Sequence, residues 1–201
     1  MNRRHFTLTT AAGLLSSSFA FAAERAGRPA QEEWDSMLVA VTAIRNAGSV
    51  QAACTAWQDA ARKVLPHLQM TALVSKASPE GEPQSIGDVR RVFSTVPSAY
   101  PVGGWKHLTG SDWSRHVLER QQVLVASGSD ALAKYFPDHE LLRSLGTRTL
   151  VNVPAVVCRK TVGAFAFLCA QESVGPEVTV ALERMASVAA PVFLMPGASD
   201  T

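Results

Sequence analysis

The chain lacks an apolar run long enough to cross a bilayer: its weakly apolar stretch, Leu8–Ala22, falls short of the roughly 20 residues a span needs. It also lacks a charge of one sign. Lys and Arg number 19 against 17 Asp and Glu, which leaves no electrostatic case for binding nucleic acid or an anionic membrane surface. Cysteines are few and odd in number, Cys54, Cys158 and Cys169, so at least one stays unpaired within the chain and no disulfide framework is expected. There is no Ser-His-Asp signature, no Gly-rich phosphate loop, no pair of catalytic carboxylates and no zinc-ligand spacing. Catalysis is not thereby excluded, because triads assemble in space rather than in sequence. No internal repeat or low-complexity segment is present.

What is present begins at the N-terminus. Arg3-Arg4 precedes a weakly apolar run that ends in Ala20-Phe21-Ala22, a small-x-small pattern suited to a signal peptidase. This resembles a twin-arginine export signal. The expected layout is a leader over 1–22, a linker over 23–31, one domain over 32–195 and a flexible tail over 196–201. Removing the leader takes away Arg3 and Arg4 and leaves a formally neutral body. Export through this route predicts a periplasmic protein without stable membrane insertion, or a cytoplasmic one if the signal does not function. Such substrates cross already folded, which again argues for a core independent of disulfides.

Within the domain, Trp34, Met37, Leu38, Val41 and Ile44 recur at helical spacing. A second helix starts at Ser49 and runs through Val50, Ala53, Cys54, Trp57, Ala61 and Val64 to Pro66. Residues 68–75 alternate as a strand. Asp88 to Thr95 reads as another, with Val89, Arg91 and Phe93 on one face. Pro97 to Gly110 reads as a long irregular segment, the kind that forms binding loops or lids. Thr109-Gly-Ser-Asp112 has capping-box spacing for a short helix, Gln122 to Ala126 reads as a strand, and Ser127 and Asp138 are in place to cap two more short helices closed by Gly146. Thr149–Val157 and Thr161–Cys169 form an antiparallel hairpin joined by about four residues. Pro176 opens a last helix striped by Val178, Ala181, Leu182, Met185 and Val188. The order predicts an α+β domain: a central antiparallel sheet of five or six strands flanked by helices.

The run from Phe136 to Leu168 carries a resemblance. Its short helix, the pair Val153-Pro154, the hairpin and Gly163 before the last strand resemble the C-terminal half of a GAF domain, and Tyr100-Pro101-Val102-Gly103-Gly104 is similar to a loop of small bacterial GAF proteins. The likeness spans about residues 34–193. It implies a profilin-like sandwich with a ligand cavity under the covering helices and loops, and it does not supply the ligand. The Asn-Lys…Phe…Asp-Glu set of cyclic-nucleotide GAF domains is missing, as is the Cys-His pair that would hold a bilin. The cysteine spacing does not match the GAF-type reductases of free methionine sulfoxide. Cys158-Arg159 stands where Asp-Gly is common in that turn.

The covering segment is aromatic and basic. Tyr100, Trp105, Lys106, Trp113, His116, Phe136 and His139 are candidate ligand contacts, together with Arg91 and Asn152 from the strands. Rings mixed with a few cations suit a small organic ligand that is partly anionic or planar. Trp113 and Phe136 can equally serve as lid-to-sheet core. Arg91 on an apolar face calls for a partner or a ligand, unless it snorkels to water from an edge. Cys158, beside Arg159 and Lys160, is the candidate reactive thiol. His139 between Asp138 and Glu140 has no second His at helical spacing, so no metal site is expected, and no cofactor is. Three readings stand: a binding or sensory module with no output domain, signalling through a partner or a homodimer formed by helices 32–46 and 177–190; a thiol-dependent redox enzyme; or a structural adaptor whose cavity is filled by its own side chains.

Overall fold

The computed structural model describes residues 31, 34–76 and 87–195. The expected leader, nearly all of the linker and the tail lie outside the described residues. Helix α1 covers 34–45 and α2 covers Val50–Val64. Strands β1 (Gln69–Ser75), β2 (Asp88–Ser94) and β3 (Gly103–His107) follow. A short helix α3 (Asp112–Ser114) runs into a π-helical turn at Arg115–Glu119. Then come β4 (Leu124–Ser127), α4 (Gly128–Tyr135), α5 (His139–Ser144), β5 (Thr149–Val157), β6 (Lys160–Cys169), α6 (Pro176–Ala189) and a 3₁₀ turn at Ala190–Leu194.

The six strands form one antiparallel sheet in the order β3-β2-β1-β6-β5-β4, the α+β architecture that the element order predicts. Pleating sends alternate residues to opposite faces. Met70, Ala72 and Val74 of β1, Val151 and Val153 of β5, and Phe165 and Phe167 of β6 face one core, closed by α1, α2, α6 and the 3₁₀ turn. There the Trp57 ring meets Phe165 and Phe167 edge-on, with centroids 5.0 and 6.1 Å apart. Cys54 lies in this core, which pushes its thiol up to about 12. The opposite face carries Leu73, Leu150, Ala164, Ala166 and Leu168 and is covered by α3, the π turn, α4 and α5.

Local signals account for the ends. Ser49 caps α2, its hydroxyl accepting from the Ala52 N–H at 3.2 Å. Gly146 takes φ +82 after α5, the left-handed value a helix end requires. At Gly163, a Cβ would stand 2.6 Å from the Leu73 carbonyl oxygen and 2.7 Å from the Phe193 ring, so the missing side chain lets β6 pack this close.

Several expectations need correction. The segment from Pro97 to Gly110 is not wholly irregular: β3 emerges from it as an edge strand, held by pairing to β2 rather than by any apolar alternation of its own. The cap of α3 is Ser111, not Thr109; its Oγ accepts from the Ser114 N–H at 3.0 Å. Ser127 does not cap α4 through its side chain, because its hydroxyl accepts from Thr149 at 3.1 Å. The β5–β6 connection is two residues, not four: Val157 pairs with Lys160, and Cys158 and Arg159 both adopt positive φ, +49 and +66. That is a primed hairpin turn, the form whose twist matches its strands. On α1 the inward residues are Ser36, Met37, Ala40 and Ile44, while Trp34, Leu38 and Val41 are exposed. Phe93 does not share a face with Arg91. Val92 is an extra residue in β2, so Ala72 pairs with Phe93 while Leu73 pairs with Arg91, and the bulge resets the alternation.

Candidate functional site

The lid of α3, α4 and α5 does not settle flush on the sheet. It leaves a cavity of about 340 Å³, at the small end of the range of about 300–1,000 Å³ seen for ligand pockets. The floor comes from the strands: Thr71 and Leu73 of β1, Arg91 of β2, Lys106 of β3, Leu150 and Asn152 of β5, and Ala166 and Leu168 of β6. Asn152 pairs with Ala166 and Ala166 with Thr71, so these three form one row across the floor with the smallest side chain in the middle. The lid supplies Trp113, Tyr135, Phe136, Asp138 and Leu142, and the loop between β2 and β3 supplies Tyr100.

Arg91 owes its place to two interruptions of the ladder. Val92 is the extra residue of β2 against β1, and Gly104, at φ +67, is the extra residue of β3 against β2. Bulges of this kind re-aim side chains. The Arg91 side chain is buried, 8% exposed. Its guanidinium lies 4.9 Å from the centroid of the Tyr100 ring, and among the described residues its hydrogen bond runs from Nη1 to the Pro101 carbonyl at 3.3 Å. Burial pulls its pKa below the ordinary value, and Tyr100 and Asp138 oppose that pull.

Three of the floor and wall residues carry buried polar atoms with no hydrogen-bond partner: Arg91 Nε, Asn152 Nδ2 and the Tyr100 hydroxyl. Most buried polar groups in folded proteins are paired, and each exception costs about 1–3 kcal/mol. The Tyr100 phenol is pushed well above its ordinary pKa, first by burial and then by the Asp138 carboxylate, which acts on it without completing a hydrogen bond of good geometry. Lys106 is pulled down by burial and by Arg91, and Asp138 opposes this. Asp138 therefore acts on two of the cavity's cations, Arg91 and Lys106.

Of the nine candidate contacts, Arg91, Tyr100, Lys106, Trp113, Phe136 and Asn152 line the cavity. Trp113 and Phe136 also pack against the sheet-to-lid clusters. Trp105, His116 and His139 do not line it. Trp105 alternates with Lys106 on β3 and so faces the other side of the sheet, within cation–π range of Arg90 at 5.5 Å. The His116 ring is turned to the backbone, donating from Nε2 to the Val123 carbonyl at 3.2 Å. The His139 ring donates from Nδ1 to the Phe136 carbonyl, also at 3.2 Å. Cys158 sits exposed in the hairpin turn, outside the cavity, and Cys169 is buried at the far end of the same hairpin with its thiol pushed up to about 12. The described residues contain no cluster of His, Cys, Asp and Glu able to hold a metal.

Sequence reasoning missed Asp138. It reads as a helix cap, yet its side chain makes no capping bond to α5, and it lines the cavity instead. Its place directly after Pro137, in a turn between two short helices, was the available signal.

No family model and no curated protein matches the chain in sequence. Solved structures do match in fold. The GAF domain of an Acinetobacter phosphoenolpyruvate-protein phosphotransferase superposes with a TM-score of 0.62 at 13% identity, covering 84% of this chain and 96% of that one. The corresponding GAF domain from Coxiella burnetii gives 0.62 at 12% identity, covering 82% and 94%. The chromophore-binding domain of the R. palustris bacteriophytochrome RpBphP3 gives 0.55 at 16% identity, covering 80% of this chain and 60% of that one. The fold is therefore GAF-like.

Proposed function

We propose that this chain is an exported module that binds a small organic molecule in the cavity beneath α3–α5. The observation that carries the reading is the convergence of Arg91 Nε, Asn152 Nδ2 and the Tyr100 hydroxyl, all buried and unpartnered, on residues lining one cavity. A space filled only by its own packing has no use for such groups, whereas a guest that pairs them recovers their desolvation cost. A chromophore-binding bacteriophytochrome domain shares the fold, which supports a small-molecule-binding role for this architecture. Binding, rather than catalysis, fits a site without an activated nucleophile: the two buried thiols are held far from their thiolates, and the exposed one stands apart.

The export part of the proposal rests on Arg3-Arg4 and the Ala20-Phe21-Ala22 pattern. A homodimer is part of the same proposal. Trp34, Leu38 and Val41 leave an apolar face exposed along α1, and Val180 is exposed on α6. Native mass spectrometry of protein purified from its own host tests the binding reading: a bound small molecule of constant mass is expected, and a reproducibly bare chain refutes it. N-terminal sequencing of the periplasmic fraction tests export, with Ala23 as the expected first residue.

A further inference from the structure

The cavity has two polar poles separated by an apolar middle. The first is Arg91 with Tyr100 stacked on it and Lys106 on the neighbouring strand. The second is Asn152, 2% exposed with its amide nitrogen unpartnered. Arg91 and Asn152 stand on β2 and β5, with β1 and β6 between them, a separation of three strand spacings, or about 14 Å between backbones. Both residues line the same cavity. Leu73, Trp113, Phe136, Leu150 and Ala166 surround the space between.

The chemistry of the first pole is specific. Nη1 of Arg91 is occupied by the Pro101 carbonyl and one face of the guanidinium by the Tyr100 ring. What remains is the Nε–Nη2 edge, two parallel N–H donors in the fork that matches a carboxylate. The cationic lining agrees. Arg91, Lys106 and Lys134 stand against Asp138 and Asp112, and Asp112 is already paired with Arg115. A guest carrying negative charge neutralises this excess, and a cationic guest adds to it.

Resting on the binding reading above, we infer that the guest is a small carboxylic acid with a ring-sized apolar body, its carboxylate on the Nε–Nη2 edge of Arg91 and a second hydrogen-bonding group at Asn152. The Tyr100 hydroxyl donates to the same carboxylate or to a neighbouring oxygen of the guest.

Calorimetric titration of the purified chain with benzoate, benzamide, benzylamine and 4-hydroxybenzoate tests this. Benzoate is expected to bind about tenfold or more tightly than benzamide, the value of a charge-assisted hydrogen bond over a neutral one, and benzylamine is expected not to bind. 4-Hydroxybenzoate is expected to bind more tightly than benzoate. Arg91→Gln abolishes the preference for the acid over the amide by weakening benzoate far more than benzamide, and benzamide binding that remains measurable shows that the cavity has survived. Arg91→Lys keeps the charge without the fork and retains only part of the preference. Asn152→Leu removes only the gain from the 4-hydroxyl. Equal binding of benzoate and benzamide, or tighter binding of benzylamine, overturns the assignment while leaving the binding module intact. No binding by any probe overturns it as well, and the mass of the host-purified protein then decides the broader reading separately.

Discussion

Arg91 and Phe93 are two residues apart on one strand and face opposite sides of the sheet. The bulge at Val92 separates them: Phe93 goes to the core under α2, and Arg91 goes to the cavity. The chain thereby keeps an apolar core and still delivers a buried cation to the other face. A buried arginine with no carboxylate at ion-pair distance among the described residues is costly to the fold, and such costs are characteristic of binding sites.

Arg91→Met should therefore gain stability while it loses the guest. The expected gain is about 0.5–2 kcal/mol, because an apolar side chain of similar length removes the desolvated charge and the unpartnered Nε. Urea denaturation of the two proteins without guest checks the sign. A loss of stability would show that Arg91 serves the fold rather than the site.

Ala166 sits between Asn152 and Thr71 in the row across the cavity floor. Ala166→Leu should fill part of the cavity without disturbing the core under α1, α2 and α6, which lies on the other face of the sheet. Guest binding should fall by at least about tenfold, with a stability change within about 1 kcal/mol, since the added methyl groups enter open space rather than a packed interior. Titration together with thermal unfolding separates the two effects. Unimpaired binding would place the guest elsewhere.

The hairpin at Cys158-Arg159 makes a different prediction. Both residues hold positive φ, which costs a side-chain-bearing residue about 1–2 kcal/mol. Replacing the pair with Asn-Gly, the preferred composition for this turn, should stabilise the chain by about 1 kcal/mol. The Gln121 side chain keeps its bond, because it donates to the Arg159 backbone carbonyl at 2.9 Å. A higher unfolding midpoint in urea at unchanged slope is the expected readout.

How much of this was legible in the sequence depends on whether a signal was local. Helix α2, strands β1, β5 and β6, and α6 carry their own periodicity, so they were readable, and with them the antiparallel sheet. Strand β3 was not, because Gly103-Gly104-Trp105-Lys106-His107 has no apolar alternation and becomes a strand only by pairing with β2. The candidate site was partly readable. Arg91 and Asn152 stood out as polar residues within apolar strands. His116 and His139 were attractive by residue type alone, and their rings are used by neighbouring carbonyls. Asp138 was assigned to capping because Pro-Asp before a helical stretch fits that role, and only the packing of α4 against α5 turns it to the cavity. Bulges such as that at Val92 leave no mark in a single sequence, which is why Phe93 was placed on the wrong face.

His67 supplies a pH dependence. Its ring is buried against Phe167, with centroids 5.1 Å apart. Its Nδ1–H donates to the Leu65 carbonyl at 2.7 Å, while Nε2 is buried without a partner. Burial lowers its pKa below the ordinary value of 6.5; the Leu65 bond opposes this, and Arg62 adds slightly to it. The sign follows from proton binding. The unfolded chain takes up a proton near pH 6.5, and the folded chain does so only at lower pH. The contribution of His67 to stability is thus fully present above the unfolded value and is lost as pH falls from there through the folded value. Lowering the pH from about 7.5 to about 5.5, the range in which histidine titrates, should lower the urea midpoint of the wild-type protein more than that of His67→Gln. Parallel slopes in the two proteins would assign the acid sensitivity to other groups, because a neutral ring forced to charge inside this core is the step that the substitution removes.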